Sequence, residues 1–376
     1  MIARIPRPPG LNRAPAESPG KRREEHESGH RTEKRRDFLK SAGLGVAGAF
    51  AGGATHGSWS LTSAAAAQTA QPRLSEQKWW PSKWGAGDEA GSTNHCTPQK
   101  VLDTVKYIKD GKIYKLARNY EQAMPCFGKR SFMLRMPSAP TGGPFGENKL
   151  VYNDEYLAAE IGQTGTQFDG LGHIGIQLGN AGDLSQMVFY NGFTMADMAD
   201  PYGLKKLGVE KLKPLFTRGH LVDVEAVKGR MMDVGEEITL ADLRAALAKQ
   251  NVQESDIKPG DAIFFNTGWG RLWINNNDRF NSGEPGIGLE IARWVAEKDL
   301  SLTGADTWGV EVVPNPDKGL AFPVHSELQT KLGIVNHENL VFDGLIADRK
   351  YQFVFIFPPV PIKGATGSNG CPIAVT

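Results

Sequence analysis

Residues 161–173, Ile-Gly-Gln-Thr-Gly-Thr-Gln-Phe-Asp-Gly-Leu-Gly-His, constrain this chain more than any other stretch. Two carboxamides, a carboxylate, an imidazole and four glycines fall within thirteen positions. No hydrophobic periodicity is present to bury such a segment as an ordinary core element. If it starts as a strand, alternation puts Gln163, Gly165, Gln167 and Asp169 on one face. His173 then lies four residues past Asp169, beyond a Gly-Leu-Gly bend. Clustered polar groups with glycines beside them suit a metal or catalytic site. The plainer alternative is a polar edge strand entering a turn.

The flanking sequence reads as strands alternating with helices, an α/β pattern. Thr97-Pro98 opens a helix whose apolar stripe is Val101, Val105 and Ile108. Lys112–Ala117 is a strand, and the proline-rich stretch 119–150 is a loop forming one wall of a pocket. Further strands are expected at Arg218–Val224, Asp261–Gly268, Leu302–Asp306 and Tyr351–Phe357. Helices are expected at 195–199, 204–212, 240–249, 289–298 and from Pro323 to Leu332. His220, alone within a strand, reads as a structural histidine.

The front of the chain differs. Residues 1–33 lack apolar periodicity and read as disordered. Lys34-Arg-Arg-Asp-Phe-Leu-Lys40 precedes a small-residue apolar run and an Ala-rich stretch with A-x-A sites. That order resembles a twin-arginine export signal, which implies a periplasmic or secreted protein. The expected division is therefore a leader over residues 1–70 and one catalytic domain over 75–376, with no membrane span in the mature protein. Net charge is +1, and no basic groove with interleaved aromatics points to nucleic acid. Three dispersed cysteines, Cys96, Cys126 and Cys371, imply neither a disulfide framework nor a metal knot.

Several pieces in order resemble the Putative cyclase family, which includes bacterial kynurenine formamidases and isatin hydrolases. They are Trp84-Gly…Asp88-Glu-x-Gly-Ser-Thr-Asn94, Arg218-Gly-His-Leu-Val-Asp-Val224, Gly260–Trp269, Pro285-Gly-Ile287, Thr303-Gly-Ala-Asp306, and His325 followed by Glu338-Asn-Leu340. The family signature H-x-G-T-H-x-D-x-P-x-H aligns with residues 163–173. Gly165, Thr166, Asp169 and His173 match it; Gln163 and Gln167 replace the first two histidines, and Leu171 replaces the proline.

The resemblance implies a mixed β-barrel-like core with surrounding helices, and association as a homo-oligomer. It implies a hydrolase of a C–N bond in an amide, formamide or cyclic amide of a small, ring-bearing substrate. Alternatives on the same scaffold are a lactone or ester hydrolase, a cyclase or dehydratase, or a non-catalytic periplasmic binding protein. The implied metal ligands are Asp169 with His173, His325, Glu338, Gln163 and Gln167. The implied acid–base groups are His173, His325 and Glu338. The cation would be Mn²⁺ or Zn²⁺, with Mg²⁺ or Ca²⁺ as alternatives that the hard amide and carboxylate oxygens also suit. The two glutamines could instead hold substrate. Trp84, Phe168, Tyr190 and Trp308 are the aromatics expected to wall the substrate pocket.

Overall fold

The computed structural model describes residues 78–376, so the twin-arginine-like stretch and the rest of the leader lie outside the described residues. Nine strands form one curled sheet: β1 (Ile113–Lys115), β2 (Gln167–Asp169), β3 (Leu215–Asp223), β4 (Ala262–Asn266), β5 (Leu302–Ala305), β6 (Val335–Glu338), β7 (Gln352–Phe357), β8 (Gly367–Asn369) and β9 (Ile373–Val375). Their order across the sheet is β1-β9-β7-β3-β4-β5-β6-β2-β8. The central four, β3, β4, β5 and β6, run parallel, and every other pairing is antiparallel. Beyond β1, Ala117 bridges to Leu340, and the Val341 N–H donates to the Leu116 carbonyl at 2.9 Å. The chain leaving β1 is thereby tied to the chain leaving β6, and the sheet closes part-way on itself. This is the mixed barrel-like α/β architecture expected above.

Alternation along the strands divides the core into two layers. Ala262, Phe264, Leu302, Val335, Phe353 and Phe355 fill the inside of the curl together with Phe168. Ile263, Phe265 and Ala305 point outward, under α2 (Leu240–Lys249) and α3 (Leu289–Glu297). The α2 helix begins as its sequence predicts: Thr239 accepts from the Asp242 N–H, and Asp242 accepts in return from the Thr239 N–H. Ile291, Trp294 and Val295 are the buried face of α3.

Three expectations require correction. The first helix, α1 (Pro98–Thr104), is capped by Thr97. However, it buries Thr104, while Val105 and Ile108 are exposed on the tighter turn that follows. Residues 204–212 are not a helix, apart from one turn at Val209–Lys211. The Leu204 and Val209 N–H groups donate instead to the Gly364 and Ala365 carbonyls, so a tertiary partner takes the bonds a helix would need. The stretch 119–150 is not one loop. Phe132–Arg135 pairs with Tyr156–Ala159, and Gly142–Phe145 pairs with Leu150–Tyr152. Pro137 and Pro140 lie between these ribbons. Pro144 sits in a two-stranded ribbon with an unpaired edge, where a missing N–H costs least. Among the described residues no helix is long and apolar enough to cross a membrane, and all three cysteines are free.

Candidate active site

Only Gln167–Asp169 of the glycine-rich stretch is strand, and the residues before it turn. Gly165 makes that turn with φ +69°, and a β-carbon there would lie 2.4 Å from the Tyr120 ring. Register then assembles the site. On β2 and β6, Asp169 stands opposite Asn336 and Gln167 opposite Glu338, while Phe168 faces His337 on the other side. Gln167, Asp169 and Glu338 therefore share the outer face of the sheet. Phe168 and His337 point into the curl, where the His337 ring meets Phe168, Phe355 and Phe357 edge-on.

A helical segment, Pro323–His325 continuing into a wider turn at Ser326–Lys331, lies over this outer face. Val324 and Leu328 anchor it in the outer core, and the Gln329 amide donates to the Gly170 carbonyl at 2.8 Å. It brings His325 Nε2 to 3.6 Å from Asp169 Oδ2 and 3.4 Å from Glu338 Oε1. Among the described residues these three form the one group whose ligand atoms could hold a metal, all lying within 4.8 Å of one another. His173 stands at its edge, with Nε2 3.9 Å from Asp169 Oδ2 and its side chain 20% exposed.

Each ligand atom is held from behind. His325 Nδ1 lies 2.5 Å from Glu311 Oε1, and the Val324 and His325 backbone N–H groups also donate to that carboxylate. That contact turns Nε2 toward the two acids, as in a carboxylate–histidine–metal arrangement. Gln163 Nε2 donates to Asp169 Oδ1 at 3.0 Å, and Gln167 Nε2 donates to Glu338 Oε2. The two glutamines thus orient the acids, with the amide orientation set by this network. Gln163 Oε1 is left buried without a partner.

Charge around the site is unbalanced. Asp169, Glu338, Glu311 and Glu284 are all buried around His325, while the buried His337 imidazole faces the inside of the curl. Burial lifts the Glu338 carboxyl to about 7, with Asp169 adding to the effect. Burial likewise raises Glu284 well above the carboxylate range, with Glu338 adding. Burial opposes ionisation of Asp169 too, but His173, His325 and Gln163 outweigh it and hold that acid low. His325 is pushed down by burial, yet Asp169, Glu311 and Glu338 together raise it well above the histidine range. Burial lowers His173 against the pull of Asp169, which leaves it a neutral base near pH 7.

The aromatics fare differently. The structure does not bring Phe168, Tyr190 or Trp84 to the acids. Phe168 is core on the opposite face of its strand. Tyr190 is fully buried and donates to Asp88 Oδ2. Trp84 lines a separate cavity of about 280 Å³ that no residue of the acid group touches. Trp308 does approach. It stacks on Phe127 at 4.1 Å and meets Phe322, which in turn packs on His325. Its backbone N–H donates to Glu284. Phe127, Glu284, Glu311 and Phe322 escaped the sequence reading. The only local signal was Glu311, five residues past the Asp306 strand end.

The sequence model of the Putative cyclase family matches residues 114–312, more than half of the chain. The chain belongs to the Putative cyclase family. One solved relative, described as a novel cyclase, shares 30% identity, with 78% of this chain and 96% of that one covered at a TM-score of 0.67. Isatin hydrolase A from Labrenzia aggregata, bound to benzyl benzoate, shares 18% over 70% of this chain and 93% of its own, with a TM-score of 0.51. An isatin hydrolase bound to the product analogue thioisatinate shares 17% over 74% and 95%, also at 0.51. The last two likenesses establish the fold alone. No curated protein matches the chain. As a cyclase-family enzyme, this protein carries Asp169 on the strand where the family signature aligns, and the fold brings His325 and Glu338 to it from later segments.

Proposed function

We propose that this cyclase-family enzyme is a metal-dependent hydrolase that cleaves a C–N bond in an amide, formamide or cyclic amide of a small ring-bearing substrate. The observation that carries this reading is the buried excess of carboxylates converging on His325. Buried acids without a compensating cation are costly, and such groups are paired or coordinate metals. Asp169, His325 and Glu338 provide two hard oxygens and one imidazole, a set that suits Mn²⁺ or Zn²⁺ and leaves positions open for water and substrate. Gln163 Oε1, buried and unpartnered on the amide whose Nε2 donates to Asp169, is a further hard ligand atom.

A divalent cation held there would polarise the substrate carbonyl and make a bound water more acidic. The chain supplies the rest. Neutral, partly exposed His173 stands beside Asp169 as the general base that takes the water proton. Glu311 holds His325 in the tautomer that presents Nε2. Trp308 and Phe127 offer an aromatic stack beside the site for the substrate ring. The leader with its paired arginines supports export to the periplasm or beyond.

Metal content of the purified protein, together with turnover of an anilide, an N-formyl amine, a cyclic imide and a lactone, tests the proposal. One tightly held divalent ion is expected, with chelator-sensitive turnover of a C–N substrate. Asp169→Ala should lose metal and activity together with little change in fold. Turnover that survives chelation, or full metal stoichiometry in Asp169→Ala, refutes the mechanism. Preference for the lactone moves the substrate class to esters.

A further inference from the structure

A second cavity, of about 670 Å³, opens where β3, β4 and β5 end, at Asp223, Asn266 and Asp306. The carboxyl ends of adjacent parallel strands are where open α/β sheets bind ligands, and the volume suits a small molecule. None of Asp169, His173, His325, Glu338, Gln163 or Gln167 lines it. It is therefore separate from the site described above.

Most of its charges are already matched. Asp306 accepts from the Thr267 N–H at 2.9 Å, from its hydroxyl at 2.7 Å and from the Gly270 N–H at 3.1 Å. Asp223 accepts from Asn266 at 2.8 Å, and Glu225 pairs with Arg271. Two charged side chains on the lining make no ion pair at bonding distance among the described residues. Arg118 reaches only the Leu340 carbonyl, at 3.4 Å, and no ion pair joins it to a carboxylate among the described residues. Its guanidinium lies 4.9 Å from the Trp273 ring and against the Gly270 backbone, where a β-carbon would fall 2.2 Å from Nη2. A side chain at position 270 would push the guanidinium from this place. Asp306 is the acid whose field acts most on Arg118, without bonding it; Asp343, exposed on the same cavity lining, adds to that field and makes no side-chain hydrogen bond or ion pair among the described residues. The same lining carries the aliphatic side chains of Leu340, Val341 and Ile346.

A held guanidinium that no carboxylate bonds can take one from a ligand, gripping it through two N–H groups. An unpaired acid on the same lining, Asp343, offers a partner for a cation. We propose that this cavity binds a small zwitterion, an amino acid with an aliphatic body, carboxylate on Arg118 and ammonium toward Asp343. The site is independent of the hydrolytic one and of its metal.

Isothermal titration calorimetry on the full, metal-loaded protein tests this with L-leucine, 4-methylpentanoate (no ammonium) and 3-methylbutylamine (no carboxylate). Leucine should bind, with each half-probe at least tenfold weaker. Arg118→Met should weaken leucine and 4-methylpentanoate by tenfold or more and leave the amine unchanged. Asp343→Asn, at an exposed position that should not disturb folding, should weaken leucine and the amine and spare 4-methylpentanoate. Glu338→Gln should leave leucine binding intact. The proposal falls if leucine gives no heat, if both cavity variants bind it like the parent, or if Glu338→Gln abolishes binding while Arg118→Met retains it.

Discussion

Glu311 touches no substrate in the arrangement proposed, yet it fixes the one imidazole among the ligands. Glu311→Gln keeps the shape and removes the charge behind His325. Metal affinity should fall by about 10–100-fold, with the melting temperature of the protein little changed, as measured by competition with a metal indicator dye. Gln167→His is the converse change. An imidazole in place of the amide restores the family pattern and adds a stronger borderline ligand, so Zn²⁺ should gain on Mn²⁺ in a competition assay. At this scale part of the site was legible. Asp169, His325 and Glu338, selected by motif position, are brought together. The alternation that grouped Gln167 with Asp169 also puts Phe168 on the opposite face, and applying it fully would have removed Phe168 from the pocket wall. Glu284 and Glu311 arrive through long-range packing, which no local pattern encodes.

Turn and cap chemistry decide which segments become regular. The reciprocal Thr239–Asp242 cap could be read directly from spacing. Thr239→Ala should cost about 1 kcal/mol in denaturant unfolding, since α2 keeps its packing but loses a bonded terminus. Gly165→Ala should cost more. The left-handed φ alone costs roughly 1–2 kcal/mol for a residue with a β-carbon. The contact with Tyr120 adds to that, and the shift would reach Gln167, so a drop in bound metal should accompany the loss of stability. The segments that defeated pattern reading share a cause. Residues 204–212 spend their N–H groups on the distant 364–365 segment, and the ribbons within 132–159 have short strands in which apolar residues face solvent on both sides.

Stability of the whole molecule should depend on pH through a buried group far from the acids. His220 Nε2 lies 2.8 Å from Asp261, which Lys100 also contacts. Burial lowers the His220 pKa against the pull of Asp261, so the folded protein binds this proton less readily than the unfolded chain. Stability from this residue is therefore present above about pH 6.5, the unfolded value, and declines as pH falls below it. Asp261 is raised by burial but lowered overall by His220 and Lys100, so its contribution is lost at still lower pH, below about 3.9. Melting temperature measured between pH 8 and 5 should fall less steeply in His220→Gln than in the parent. An equal slope would show that His220 is not the group responsible.

The pairing of β1 with β9 joins residues 113–115 to residues 373–375, and β9 in turn joins β7. Nearly the whole domain lies between those partners. The sheet cannot complete until residues 373–375 have emerged, because its first strand waits for them. Such long-range closure makes for slow folding, with unsatisfied strand edges exposed in the interval. For this enzyme, yield in the cell should be governed less by final stability than by how long the unfinished chain is kept from other chains.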